Sequence, residues 1–297
     1  VSSPDLVALL PSWELSLRAE RKSPATVKSY GDGVRQFLRF CTETDTPPEL
    51  TRRTVAGYVD HLLTSGASPA TARARQLGVR RFSAWLAEEG EAEADALVGV
   101  KSPKLDTHVV EPLTDDQLRA LLKACAGTDL RDRRDAAIVR FMLETGARAG
   151  EVVSLGQADV DLREWTAVVR RGKGGKGRVV PFGAQTAQAI DRYLRARRGH
   201  RLANTDALWL GDRGKAFTYD ALHKTLKMRA DMAGIDGFRP HLMRHTAAHR
   251  WLSAGGSESG LMAVAGWTRP DMLMRYTKAQ ASARAAEEAR KLNLGEL

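Results

Sequence analysis

The sequence is poor in cysteine: Cys41 and Cys125 are the only two in 297 residues, far apart and in no CxxC pattern. That excludes a disulfide framework or a cysteine zinc site as the organising principle, and it fits a reducing, cytoplasmic setting. No apolar run approaches the ~18 residues that a membrane span requires. The opening Val1-Ser2-Ser3-Pro4 has neither the basic flank nor the apolar stretch of a secretion signal, and a first residue other than Met points to processing or truncation. The glycine-rich stretch Gly172–Gly177 lacks the GK[ST] ending of a phosphate-binding P-loop, which speaks against nucleotide hydrolysis. What is abundant is positive charge. Lys and Arg number 46 against 36 Asp and Glu, a net of +10. Such a balance favours a polyanionic partner, nucleic acid first and an anionic membrane surface second.

With 43% hydrophobic residues the chain can bury a real core, and at ~100–200 residues per domain its length predicts two domains. Residues 98–112 carry two prolines and no amphipathic period, so they read as a linker between a unit at 1–105 and one at 112–297. Net charge is +1 up to residue 105 and +9 beyond it, and five of the first unit's acids lie between Glu88 and Asp95. The first unit contains a short repeat, Ser23-Pro24-Ala25-Thr26 and Ser68-Pro69-Ala70-Thr71. Each has Ser as N-cap and Pro at the first helical position, so each predicts a helix start. Val27, Tyr30, Val34, Phe37 and Leu38 form an apolar stripe after the first, and Ala74, Leu77, Phe82 and Trp85 after the second. Opposite that second stripe, Arg73, Gln76 and Arg80 predict a polar face, either plain solvated surface or a phosphate-tracking one. The unit reads as a small all-helical bundle.

The second unit opens on a capping box, Thr114 with Gln117. Helical periodicity then runs to Thr145-Gly146. The period changes at Trp165–Arg171 and Arg178–Phe182, two short strands joined by a loop that holds Lys173 and Lys176 among four glycines. Beyond Ala187 the pattern predicts helix to the end.

Four places in this unit could carry chemistry. Arg148 opens a helix after Thr145-Gly146-Ala147; a cation there opposes the helix dipole by ~0.3–1 kcal/mol, which a bound phosphate would offset. Glu151, three residues on, can hold its guanidinium, so the pattern fits a paired surface arginine as well as an anion site. The glycine loop fits a flexible basic turn or a lysine that swings onto a ligand. His241, His245 and His249 share a helical face after Pro240, at the spacing of zinc ligands. The HExxH glutamate is absent and Arg244 stands between the first two, which argues against a metal. His241 with Arg244 instead forms two donors at a helix start, an anion site, leaving His245 and His249 structural. Tyr276, nine residues after Trp267, reads by itself as a core or interface residue.

Taken in order, these segments resemble the tyrosine recombinase, or phage integrase, family over essentially the whole chain. Thr145-Gly146-Ala147-Arg148-Ala149-Gly150-Glu151 is similar to the family's TGxRxxE segment. Gly172-Lys173-Gly174 followed by Arg178-Val179-Val180-Pro181 is similar to its GKG…R(V/L)VP hairpin, and Pro240–Thr246 to its PHxLRHT box, with Met243 in place of Leu. Gly266-Trp267 occupies the LGH position, with Trp for His, and Tyr276 falls where the nucleophile should be. Arg80–Leu86 and the S-x-x-T helix starts resemble the N-terminal SAM-like domain. The resemblance implies a mainly α protein, a SAM-like helical core-binding domain plus an α+β catalytic domain with a small antiparallel sheet, forming a C-shaped clamp. It implies a simple Xer-like or phage integrase type without an arm-binding domain.

It also implies a mechanism. Arg148 and Arg244 would grip a phosphodiester, with His241 and the Trp267 indole completing the cradle and no metal or other cofactor required. The Tyr276 phenol, with an ordinary pKa of ~10, needs a base, for which His241 is the candidate. Lys173 would protonate the departing 5′-oxygen, giving a 3′-phosphotyrosine. Arg73, Arg75, Arg80 and Lys176 are the expected DNA contacts. The implied partners are double-stranded DNA with inverted-repeat half-sites and three further copies of the chain in a tetramer, not a membrane. Two other readings use the same residues: a type IB topoisomerase, and a non-catalytic DNA-binding protein that kept the fold.

Overall fold

The computed structural model describes residues 4–105, 110–170, 177–270, 272–273 and 290. The chain divides into two compact units, Val1–His108 and Val109–Leu297. Among the described residues no helix is long and apolar enough to cross a membrane.

The first unit is a bundle of α1 (Leu6–Ala19), α2 (Pro24–Glu43), α3 (Arg52–Thr64) and α4 (Pro69–Glu88). The repeated caps work as their chemistry predicts. Ser23 Oγ accepts from the Thr26 amide at 3.1 Å and Ser68 Oγ from the Thr71 amide at 3.2 Å. Thr51 starts α3 in the same way. Each cap stabilises its helix by ~1 kcal/mol. The core gathers Trp13, Val34, Phe37, Tyr58, Val79, Phe82 and Leu86.

α2 and α4 pack backbone to backbone. A Cβ on Gly33 would lie 2.7 Å from the Arg75 carbonyl oxygen, and one on Gly78 would lie 2.6 Å from that of Tyr30. Phe82 and Trp85 face the core as the apolar stripe predicts, but with this contact the first half of α4 does not follow the stripe. Ala74 and Leu77 face outward, while Ala72, Gln76, Val79 and Ser83 are buried. Gln76 is sealed in, donating to the Lys101 carbonyl at 3.2 Å, and Arg80 is half-buried, so Arg73, Gln76 and Arg80 do not form one polar face. The reason is steric: glycine has no weight in a hydrophobic stripe, yet two glycines set the closest approach of the helices.

The second unit contains α5 (Asp115–Ala124), α6 (Leu130–Thr145), α7 (Ala149–Val153), β1 (Val160–Asp161), β2 (Thr166–Val169), β3 (Arg178–Pro181), α8 (Ala184–Arg197), α9 (Tyr219–Met232), α10 (Pro240–Ser253) and α11 (Glu258–Ala265). The capping box forms in both directions, Gln117 N to Thr114 Oγ1 at 3.2 Å and Thr114 N to Gln117 Oε1 at 2.9 Å. The strands make one antiparallel sheet in the order β1-β2-β3, with Val168 opposite Val179 and Val169 opposite Arg178. β1, a two-residue strand too short for a sequence pattern, exists through its pairing of Val160 with Ala167. Ala167, Val169 and Val180 point into a core shared with Ile138, Phe141 and Met142 of α6 and with Ile190 and Tyr193 of α8.

Helix does not continue unbroken beyond Ala187. Residues 198–218 form turns, a 3₁₀ turn and two isolated bridges around the buried Leu208, Trp209 and Leu210. The buried Arg197 at the end of α8 donates to the carbonyls of Ala203, Thr205, Ala207 and Leu208. One guanidinium thus satisfies backbone groups that a helix would have satisfied internally. The fold is mainly helical, a helical unit followed by a helical unit with a small antiparallel sheet.

Candidate active site

α6 stops at Thr145 because Gly146 takes the left-handed conformation, φ +59°. The chain turns and α7 begins, with Arg148 immediately before its first residue. Glu151 folds back as the three-residue spacing predicts. Its Oε2 accepts from the Arg148 amide and its Oε1 from Arg148 Nη1, both at 2.8 Å. A second arginine reaches the same carboxylate: Arg178 donates Nη1 to Oε1 at 3.1 Å and Nη2 to Oε2 at 2.7 Å. Burial alone would push the Glu151 carboxyl up, but hydrogen bonds from the Arg178 guanidinium and the Arg148 amide outweigh it and hold it below the usual range.

Arg178 is the member of this cluster to which sequence reasoning assigned no role, since no spacing rule links it to a residue 27 positions away. A signal was present. Strand alternation puts Arg178 on the same face as the buried Val180, and an arginine facing inward requires a buried acceptor.

α10 opens with Pro240 at its first position, which places His241 and Arg244 one turn apart. Arg244 is 2% exposed, and it donates Nη1 to the Gly146 carbonyl and Nη2 to the Ala265 carbonyl, each at 2.7 Å. Its guanidinium carbon also lies 5.2 Å from the centre of the Trp267 ring. Trp267 is itself buried, packed with Ala248, Leu252, Leu261 and Leu273. α11 ends at Gly266, again left-handed with φ +64°. A Cβ there would approach the Arg178 side chain to 3.1 Å, and Arg178 Nε donates to the Val264 carbonyl at 2.7 Å. The α6–α7 turn, β3, α10 and the end of α11 therefore meet around Arg148, Glu151, Arg178, Arg244 and Trp267.

His241 is exposed at the start of α10 and His245 is half-buried. Burial, followed by the charges of His241 and His249, lowers the His245 pKa and favours its neutral form. Among the described residues no group of three or more His, Cys, Asp or Glu side chains is arranged to hold a metal ion. Lys173, Lys176 and Tyr276 lie outside the described residues. Arg73, Arg75 and Arg80 all belong to α4 of the first unit; Arg73 is exposed and Arg75 pairs with Asp32 at 3.7 Å. In the second unit's cluster three guanidiniums stand against one carboxylate, an excess of fixed positive charge suited to a phosphodiester.

A helical bundle followed by a helical unit with a three-stranded sheet, and a buried arginine bound to the glycine carbonyl two residues before a second arginine, define a recognisable class. The chain belongs to the phage integrase family, whose model matches residues 111–283; the model of the phage integrase N-terminal SAM-like domain matches residues 9–92. Among its relatives, tyrosine recombinase XerC of Corynebacterium efficiens is 31% identical over 86% of this chain and 81% of its own length. Tyrosine recombinase XerD of Halalkalibacterium halodurans is 27% identical over 85% of this chain and 86% of its own. The crystal structure of XerA recombinase, 26% identical, superposes over 97% of this chain and 99% of that one with a TM-score of 0.55. XerH recombinase bound to a palindromic difH substrate, 17% identical, shares the fold with a TM-score of 0.72 over 89% of this chain and 79% of its own.

Proposed function

We propose that the Arg148–Arg244 cluster holds the scissile phosphate of double-stranded DNA while Tyr276 attacks it. The chain is a site-specific DNA recombinase of the tyrosine class. In the first step the phenolic oxygen of Tyr276 bonds to phosphorus and the bond from phosphorus to the 5′-oxygen breaks. The phenolic proton passes to His241, and Lys173 protonates the departing oxygen. The product is a 3′-phosphotyrosine and a free 5′-hydroxyl. Because the new ester conserves the energy of the old one, a second 5′-hydroxyl can reverse the step without ATP. Arg148 and Arg244 stabilise the charge that gathers on the non-bridging oxygens, with His241 and the Trp267 indole as further donors.

The observation that carries this reading is the Arg244 fork, which binds the carbonyl two residues before Arg148 and so anchors the turn on which Arg148 is mounted. Residues 112–297 would be the catalytic domain, with Lys176 at its DNA surface, and residues 1–105 a core-type DNA-binding domain. A groove on that first unit, lined by Lys28, Ser29, Asp32, Thr71 and Arg75, supports contact with a phosphate backbone. Arg73 and Arg80 would add to that contact, positioning the protein more than reading bases. The enzyme would act in the cytoplasm as a homotetramer on paired inverted-repeat half-sites. Tyr276→Phe tests the reading on a nicked suicide substrate of the chain's own target DNA. It should bind that DNA with unchanged affinity and form no covalent adduct, and an adduct surviving the change would overturn the assignment.

A further inference from the structure

The carboxylate of Glu151 poses an electrostatic problem for a phosphate site. Paired with Arg148 alone it would cancel the charge of the arginine meant to bind the anion, at a contact of 2.8 Å. Arg178 changes that balance. Its two terminal nitrogens take both oxygens of Glu151 while its Nε holds the Val264 carbonyl, and the side chain is only 10% exposed. Glu151 thereby receives four donors, two from Arg148 and two from Arg178, which is close to the capacity of a carboxylate. One of the two guanidinium charges is spent on the carboxylate and the other remains for a ligand. Of the two guanidiniums Arg148 is the more accessible, 26% exposed against 10% for Arg178.

We infer that Arg178 is a positioning residue for strand cleavage, neutralising Glu151 so that Arg148 keeps its charge for the phosphate while tying β3 to the turn that carries Trp267. This rests on the recombinase reading above. The tie is geometric: the Arg178 side chain lies against Gly266, where a Cβ would come within 3.1 Å of it, one residue before Trp267. No other amino acid supplies three donors in this fork, so lysine is a partial substitute.

The test is a double-mutant cycle on single-turnover cleavage of a nicked suicide substrate, with wild type and Tyr276→Phe run in parallel. Arg178→Met should slow adduct formation by about 10- to 100-fold, the range for a supporting contact one step from the chemistry. Adding Glu151→Gln to Arg178→Met should restore part of the rate, at least about fivefold, because the uncompensated carboxylate is gone. A merely structural arginine predicts the opposite, a double variant as slow as or slower than Arg178→Met. Arg178→Lys, which keeps the charge and loses the fork, should cleave faster than Arg178→Met and carries the same cycle where the methionine variant does not fold. Wild-type rates in both Arg178 variants, or no recovery on adding Glu151→Gln, would overturn the inference. Absence of an adduct in wild type would instead overturn the recombinase reading.

Discussion

Arg244 and Gly146 are joined by a 2.7 Å hydrogen bond from a buried guanidinium to the carbonyl of a left-handed glycine. That glycine ends α6 and stands two residues before Arg148. The second arginine of the cluster thus sets the backbone on which the first is mounted, and its other nitrogen reaches Ala265, two residues before Trp267. Stability and site geometry are coupled through one side chain.

Arg244→Lys should show that coupling. A single ammonium cannot reach two carbonyls that the guanidinium fork spans, and a buried carbonyl left without a donor costs ~1–3 kcal/mol. If Arg244 also grips the scissile phosphate as proposed, replacing its guanidinium fork with a single ammonium should lower single-turnover cleavage as well, by up to about 10²–10³-fold. Urea unfolding and adduct formation on the same preparation check both. Wild-type stability with lost cleavage would mean that the carbonyl contacts contribute nothing to the fold.

Gly78→Ala pits helix propensity against packing. Propensity alone favours alanine by ~1 kcal/mol. The new Cβ would meet the Tyr30 carbonyl oxygen at 2.6 Å, a backbone atom that cannot swing aside. Overpacking of this kind costs ~1–3 kcal/mol, so the variant should melt lower. Gly57→Ala in α3 is the control. Its nearest neighbour would be Phe40 Cζ at 3.7 Å, and it should melt at or above wild type. A stabilised Gly78→Ala would show that α2 and α4 can separate without loss.

Acid should weaken the Glu151 cluster in a defined direction. The native carboxyl sits below its ordinary value because Arg178 and Arg148 outweigh burial. A depressed native pKa contributes stability above the unfolded-state value of ~4.3, and that contribution is lost as pH falls through the native value. Glu151→Gln should therefore be less stable than wild type near neutrality, by ~1–3 kcal/mol. The gap between the two should hold steady above about pH 5 and shrink below about pH 4. Urea titrations of both proteins across that range measure it. A gap that widened in acid would reverse the sign of the shift.

Where an element depends on neighbours in the chain, its residues could be read directly. Ser23, Ser68 and the Thr114–Gln117 pair announce helix starts because a cap needs only an oxygen at the right offset from an amide. Glu151 announces its grip on Arg148 for the same reason, three residues within one helical turn. On α4 the apolar stripe places Phe82 and Trp85 correctly but not Ala74, Leu77 or Gln76, because the close approach at Gly33 and Gly78 carries no hydrophobic signal. Residues 198–218 depart from the helical pattern in part because four of their carbonyls are held by Arg197, a charged side chain that the periodicity counts as one more surface position. Arg178 was visible as part of a motif, but its two acceptors lie on other elements.

By itself the sequence determined the order of chemical groups along the chain, the caps and turns between them, and the family pattern those groups compose. Each of these depends on separations of a few residues, over which bond geometry leaves little choice. Only the tertiary structure decided that Arg244 holds the Gly146 carbonyl, that Glu151 is shared by two arginines, and that Gln76 turns inward. Those outcomes depend on distances between segments remote in sequence, which close packing sets and local periodicity does not encode.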